Sequence, residues 1–168
     1  MTSPHPRTYI AVVGGGRASA SECELARRVG RAVAEAGAVL VCGGLGGAME
    51  AACAGAHEAG GLTLGLLPDA DRRAANAHLD LSVPTGMGEA RNALVVRSAD
   101  ALIAVSGEFG TLSEIALALA TGVPVVGLGT WELVKDGRNV DAVVRANTPE
   151  DAVQLAIDLV PTSTSRRS

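Results

Sequence analysis

Aromatic residues make up only 2% of this 168-residue chain, one Trp, one Tyr and one Phe, although 48% of it is hydrophobic. The core must therefore be packed from Ala, Val, Leu and Ile, which suits layered helices and strands better than a sandwich or barrel built on aromatics. Lysine is almost missing too. Of 14 basic residues Lys135 is the single lysine and the others are arginines, against 18 acidic residues and a net charge of −4. That balance supplies no strongly basic face for nucleic acid. No glycine turn carries the lysine of a G-x-x-x-x-G-K-[ST] loop, which argues against ATPase or GTPase chemistry. Cys23, Cys42 and Cys53 are odd in number and lack C-x-x-C spacing. Neither a disulfide framework nor a zinc site is suggested, and small buried thiols in a reducing compartment are expected. His5, His57 and His78 lie far apart, with His5 near a disordered end, so neither a metal triad nor a Ser-His-Asp relay is assembled. No apolar run reaches the roughly 20 residues that span a bilayer, and the polar residues 1–8 have no signal-peptide core. A cytoplasmic protein with no membrane partner is expected.

Glycine is plentiful, at 21 residues, and it falls between apolar runs. A first strand over 9–13 ends in Gly14-Gly15-Gly16, and Ser21 with Glu24 has capping-box spacing for a helix over 21–36 that stops at Gly37. A second strand over 38–42 ends in Gly43-Gly44-Leu45-Gly46-Gly47, before a helix over 48–59. Further strands are predicted over 62–67, 81–83, 100–105 and 124–128, with helices over 89–98, 111–121 and 149–160. Residues 69–78 read as a loop or short helix.

This alternation calls for right-handed crossovers and a mostly parallel sheet covered on both faces, a doubly wound Rossmann-like three-layer α/β/α sandwich. One domain over 9–160 is expected, between a flexible N-terminus over 1–8 and a flexible tail over 161–168. Glycine turns after strands one, two and five fall at carboxyl ends, where such sheets place ligands.

The sharpest of these turns is Ser106-Gly107-Glu108-Phe109-Gly110-Thr111-Leu112-Ser113-Glu114, between the buried strand Ala101-Leu102-Ile103-Ala104-Val105 and an apolar helix. Its glycines let backbone N–H groups approach a ligand, and the unsatisfied donors of a helix start favour phosphate or carboxylate. It is not a dinucleotide fingerprint. Gly14 and Gly16 are followed by Ser19, and Gly44 and Gly46 by Met49, where G-x-G-x-x-G needs its third glycine.

Leu40-Val41-Cys42-Gly43-Gly44 with Gly47-Ala48-Met49, then Arg91, Asp100-Ala101 and Gly107-x-x-Gly110-Thr111-x-x-Glu114, together resemble the LOG family of cytokinin-activating phosphoribohydrolases, often mislabelled lysine decarboxylases. The resemblance runs over about 9–160. A decarboxylase is not supported, since Lys135 stands alone outside any evident pyridoxal-phosphate pocket. The family pattern Pro-Gly-Gly-x-Gly-Thr-x-x-Glu, with Arg-Lys on the preceding helix, has Ser106, Glu108 and Asn92 in place of Pro, Gly and Lys. With Met49-Glu50, these differences resemble the short subgroup related to molybdenum cofactor carrier proteins.

The resemblance implies a nucleoside 5′-monophosphate whose phosphate rests on Gly107, Glu108, Phe109, Gly110 and Thr111, wrapped by Gly14, Gly15, Gly43, Gly44 and Gly47. Glu114 would face the ribose and stabilise an oxocarbenium-like transition state, with Arg91 on the phosphate or on Glu114. Free base and ribose 5-phosphate would be the products, with no cofactor or metal required. The alternative implied is a non-catalytic carrier or sensor of molybdenum cofactor, or of a related phosphorylated pterin or nucleotide. A third is an assembly subunit with a vestigial pocket.

Other readings stay open. Thr111-Leu112-Ser113-Glu114 also has capping-box spacing, and Arg91 also reads as an exposed helix arginine. Glu108 inside the loop would repel an anion unless turned outward or paired with an arginine. Trp131 could stack on a base or simply cover the core. The Ala-rich helix over 48–59 could pack against another subunit, and a homodimer or larger homo-oligomer is the family expectation.

Overall fold

A computed structural model describes residues 7–161, so the expected flexible ends and His5 lie outside the described residues, apart from residues 7, 8 and 161. The strands are β1 (Tyr9–Gly14), β2 (Val39–Cys42), β3 (Leu62–Leu67), β4 (Leu81–Pro84), β5 (Ala101–Val105), β6 (Val125–Leu128), β7 (Val134–Lys135), β8 (Arg138–Asn139) and β9 (Val143–Arg145). The helices are α1 (Ala20–Glu35), α2 (Ala48–Glu58), α3 (Asn92–Arg97), α4 (Phe109–Thr121) and α5 (Pro149–Leu159). Seven strands form one sheet in the order β4-β3-β2-β1-β5-β6-β9, and β7 pairs with β8 apart from it. Every neighbouring pair in the large sheet is parallel.

Parallel strands must bury both faces, and these do so chiefly with aliphatic side chains, Trp131 packing partly buried against one of them. On one side Val29 of α1, Ala52 of α2 and Val153 of α5 pack with Ile10, Leu40 and Ile103. On the other, Val95 of α3 and Ile115 of α4 pack with Val41 and Leu102. The protein is a three-layer Rossmann-like α/β fold. Its chain winds outward from β1 to β4, then restarts at β5 on the other side of β1, where Gly14 lies in register with Val105. That reversal opens a crevice at the carboxyl ends of β1 and β5.

Several boundaries differ from the sequence reading. The capping box of α1 is made by Ser19 and Glu22, not Ser21 and Glu24. Ser19 Oγ accepts the Glu22 N–H at 3.3 Å, and Glu22 Oε2 accepts the Ser19 N–H at 2.7 Å. The expected helix over 89–98 is a 3-10 turn over Gly88–Arg91 followed by the short α3. A hairpin turns at Asp136 and Gly137, both with positive φ, and β9 extends the sheet beyond β6.

Within the chain, helix α2 packs closely on α1. A Cβ on Gly30 would overlap the Ala52 carbonyl oxygen, and one on Gly55 the Arg27 carbonyl oxygen, so the two helix backbones touch there. Cys42 and Cys53 are fully buried with their sulfurs 3.5 Å apart, whereas Cys23 is only partly buried.

Candidate functional site

Three glycine turns converge on the crevice. A Cβ on Gly14 would lie 2.7 Å from Ala48 Cβ and 2.8 Å from the Val105 carbonyl oxygen, so the first turn is pressed between α2 and β5. Gly15 approaches Gly107, and its carbonyl accepts the Ala48 N–H at 3.0 Å. Gly47 packs on the backbone of Gly15 and Gly16. Gly44 is held from below, its N–H directed at Cys42 Sγ at 3.3 Å.

The third turn is fixed from three directions. Ser106 donates its N–H to the Leu128 carbonyl at 3.0 Å, and Thr130 Oγ1 donates to the Ser106 carbonyl at 2.6 Å. Ser106 Oγ donates to Glu22 Oε1, holding that carboxyl below its usual range, with the Ser19 backbone bond adding to the effect. Ser106 has φ +49°, a conformation closed to proline, whose ring fixes φ near about −65°. The Ser-for-Pro difference from the LOG pattern thus matches the path of this turn. Gly107 follows at φ +102°, where a Cβ would also meet Thr111 Cβ at 2.5 Å.

Helix α4 begins at Phe109, two residues earlier than predicted, with Glu108 as N-cap and no side-chain cap. Thr111 therefore lies inside the first turn and Glu114 beyond it. The capping reading of Thr111 and Glu114 is excluded by this geometry. Glu108 and Gly110 are exposed, so the Glu108 carboxylate is not enclosed in the turn. The start of α4 offers first-turn N–H groups with no side-chain cap, a setting that suits an anion.

Behind the turn lies a buried polar group. Among the described residues the buried polar side chains are Thr63, Arg91, Asn92, Thr111 and Glu114, and all but Thr63 gather here. Arg91 is 7% exposed, so the exposed-arginine reading does not hold. Its guanidinium lies against Gly43, where a Cβ would stand 2.6 Å from Nη2. Nη1 donates to Asn92 Oδ1 and lies 3.8 Å from Glu114 Oε1. Asn92 Nδ2 in turn reaches Ser113 Oγ at 3.0 Å, and Ser113 Oγ donates to the Gly110 carbonyl at 2.8 Å.

Arg91 Nε is buried with no partner, and the ion pair is too long for a good hydrogen bond. Glu114 pays for its enclosure in proton affinity: burial pushes its pKa up to about 7, Arg91 pulls it back, and Glu89 adds to the rise. A buried cation with an unsatisfied donor beside an uncapped helix start is poised for an additional anion.

The structure thus brings Gly14, Gly15, Gly43, Gly47, Gly107, Thr111, Arg91 and Glu114 together at the crevice, with Glu108, Phe109 and Gly110 exposed beside it, whereas Gly44 is buried toward Leu67, Gly65 and Leu79 on the β3 side. Glu22, Asn92, Ser113 and Thr130 were missed as supports. The Ser19-x-x-Glu22 spacing, passed over for Ser21 and Glu24, is the signal that marks Glu22 as a helix cap, but nothing local ties it to Ser106. Glu50 and Arg97 are exposed. Among the described residues no group of three or more His, Cys, Asp or Glu is placed to hold a metal ion, and no helix is long and apolar enough to cross a membrane.

A model of the SLOG cluster4 family matches residues 7–153. An uncharacterized protein of Archaeoglobus fulgidus is 43% identical over 148 residues, covering 88% of this chain and 93% of that protein. Among solved structures, the molybdenum cofactor binding protein of Rippkaea orientalis is similar with a TM-score of 0.84 and 34% identity, over 95% of this chain and 100% of that chain. The molybdenum cofactor carrier protein of Chlamydomonas reinhardtii is similar with a TM-score of 0.78 and 31% identity, over 91% of this chain and 98% of that chain.

Proposed function

The chain belongs to the SLOG cluster4 family, and on that footing we propose that it is a carrier that binds molybdenum cofactor, or a related phosphorylated pterin or nucleotide, by its phosphate. The observation that carries this reading is the unpartnered, buried Nε of Arg91 behind the uncapped start of α4. The phosphate would rest on the N–H groups of residues 107–111 and the Thr111 hydroxyl, with Arg91 supplying countercharge. These are donors for the phosphorylated end of such a molecule. The thiols of Cys42 and Cys53 are buried against each other, so no thiol from β2 or α2 is offered to a metal. Glu114, 6% exposed and paired with Arg91, orients and balances the guanidinium in this reading and does not meet the ligand. A cytoplasmic homo-oligomer remains part of the proposal.

The second reading, a phosphoribohydrolase acting on nucleoside 5′-monophosphates, is favoured by one observation: a carboxyl with a pKa of about 7 suits proton transfer near neutral pH. Titration calorimetry with molybdenum cofactor and with nucleoside 5′-monophosphates, together with chromatography for free base, separates the two. The carrier binds without product, and Arg91→Ala weakens binding roughly tenfold or more, the worth of a charge-assisted hydrogen bond. Release of base by the wild type, abolished in Glu114→Ala, replaces the carrier with the enzyme.

A further inference from the structure

The core is built from Ile, Leu, Val and Ala, and Trp131 packs partly buried against its edge. Tyr9 opens β1 at the far end of the sheet from the crevice. Phe109 and Trp131 instead meet at the crevice lip, with ring centres 5.7 Å apart and planes inclined at 38°. Phe109 is 79% exposed although it stands in the first turn of an otherwise apolar helix. Trp131 is tied to the turn itself: its indole N–H donates to the Glu108 carbonyl at 3.3 Å, and the preceding Thr130 holds the Ser106 carbonyl. Trp131 also lines a cleft of about 420 Å³ at the carboxyl ends of β6 and β9, together with Asn139, Asp141 and Asn147. The cleft falls within the size range of small-ligand sites.

We propose that Trp131, backed by Phe109, is the face on which the planar heterocycle of the phosphorylated ligand stacks, and that Asn139, Asp141 and Asn147 recognise the edge of that ring. The inference rests on the phosphate reading of the Gly107 turn. A ligand with its phosphate on residues 107–111 has its next groups beside Trp131, because the indole is bonded to the backbone that opens α4. An aromatic face accepts any flat ring, while amide and carboxylate groups discriminate ring N–H donors from ring acceptors. The ligand class is therefore a pterin or purine phosphate, and not a sugar phosphate alone.

Trp131 is the chain's one tryptophan, so its emission reports the contact directly. The probes are guanosine 5′-monophosphate, whose ring shares the aminopyrimidinone edge of a pterin, guanosine and ribose 5-phosphate. Each is titrated with both fluorescence and calorimetric readouts. Guanosine 5′-monophosphate should quench Trp131 over the range in which heat is released, and ribose 5-phosphate should bind without quenching. By calorimetry, Trp131→Ala should weaken the nucleotide roughly tenfold or more and leave ribose 5-phosphate unchanged, while Trp131→Phe keeps most of the affinity. Phe109→Ala, at an exposed position, gives a smaller loss in the same direction and does not depend on repacking the core. Nucleotide binding with unchanged emission and equal affinity in both alanine variants overturns the stacking face. If neither phosphorylated probe binds but guanosine quenches Trp131, the stacking face stands and the phosphate reading falls. If no probe releases heat or alters the emission, both fall.

Discussion

Glu114 and Arg91 face each other at 3.8 Å in a site from which water is nearly excluded, and the cost of that burial sets a pH dependence. Burial raises the Glu114 pKa from 4.5 to about 7, so the folded chain holds a proton that the unfolded chain has released. This contribution to stability is fully present below about pH 4.5 and is lost as pH rises through 7. Glu114→Gln keeps the shape and stays neutral throughout. Relative to that variant, the wild type should lose on the order of 3 kcal/mol between pH 4.5 and pH 8, measured by urea unfolding across the range. A flat difference would mean that Arg91 keeps the carboxylate ionised and that attraction outweighs burial. The sequence placed both residues in the candidate site, yet it could not choose between Glu114 as a cap and Glu114 as a buried partner. The choice depends on where α4 starts, and that is fixed by tertiary bonds from Leu128, Thr130 and Glu22 to Ser106.

At the scale of elements, the overlap of two S-x-x-E frames at the start of α1 shows how a correct motif can carry the wrong register. Both Ser19-x-x-Glu22 and Ser21-x-x-Glu24 satisfy the pattern, and the chain uses the first. The earlier frame lengthens the helix and places Glu22 where it also accepts from Ser106. Ser19→Ala should therefore cost about 1 kcal/mol and lower the melting temperature, whereas Ser21→Ala should be close to neutral. Equal effects from the two serines would contradict the register. The principal strands were legible because buried parallel strands read as continuous apolar runs bounded by glycine or proline. The β7–β8 hairpin was not, although Asp136-Gly137 is a turn signal, because strands of two residues carry no periodicity. Strand β9 was hidden for a similar reason: Val143-Val144-Arg145 is too short to announce that it closes the sheet edge.

The turns that line the crevice come from both halves of the molecule: residues 14–16 and 43–47 follow β1 and β2, and residues 106–111 follow β5 across the strand-order reversal. These halves are joined at the crevice by β1–β5 pairing, by the Glu22–Ser106 bond and by Arg91 lying between Gly43 and Glu114. A phosphorylated ligand seated there touches both halves at once, so its binding energy adds to the stability of the whole fold. At a free concentration one hundred times its dissociation constant, a ligand that binds only the folded chain contributes about 2.7 kcal/mol. For a chain of this length that corresponds to a rise in melting temperature of roughly 5–10 °C. Amide hydrogen exchange should slow together in residues 14–16, 43–47 and 106–111 when guanosine 5′-monophosphate is bound. Slowing confined to residues 106–111 would place the ligand on the α4 turn alone, and the glycine turns of β1 and β2 would then serve packing against α2 and Arg91 instead of recognition.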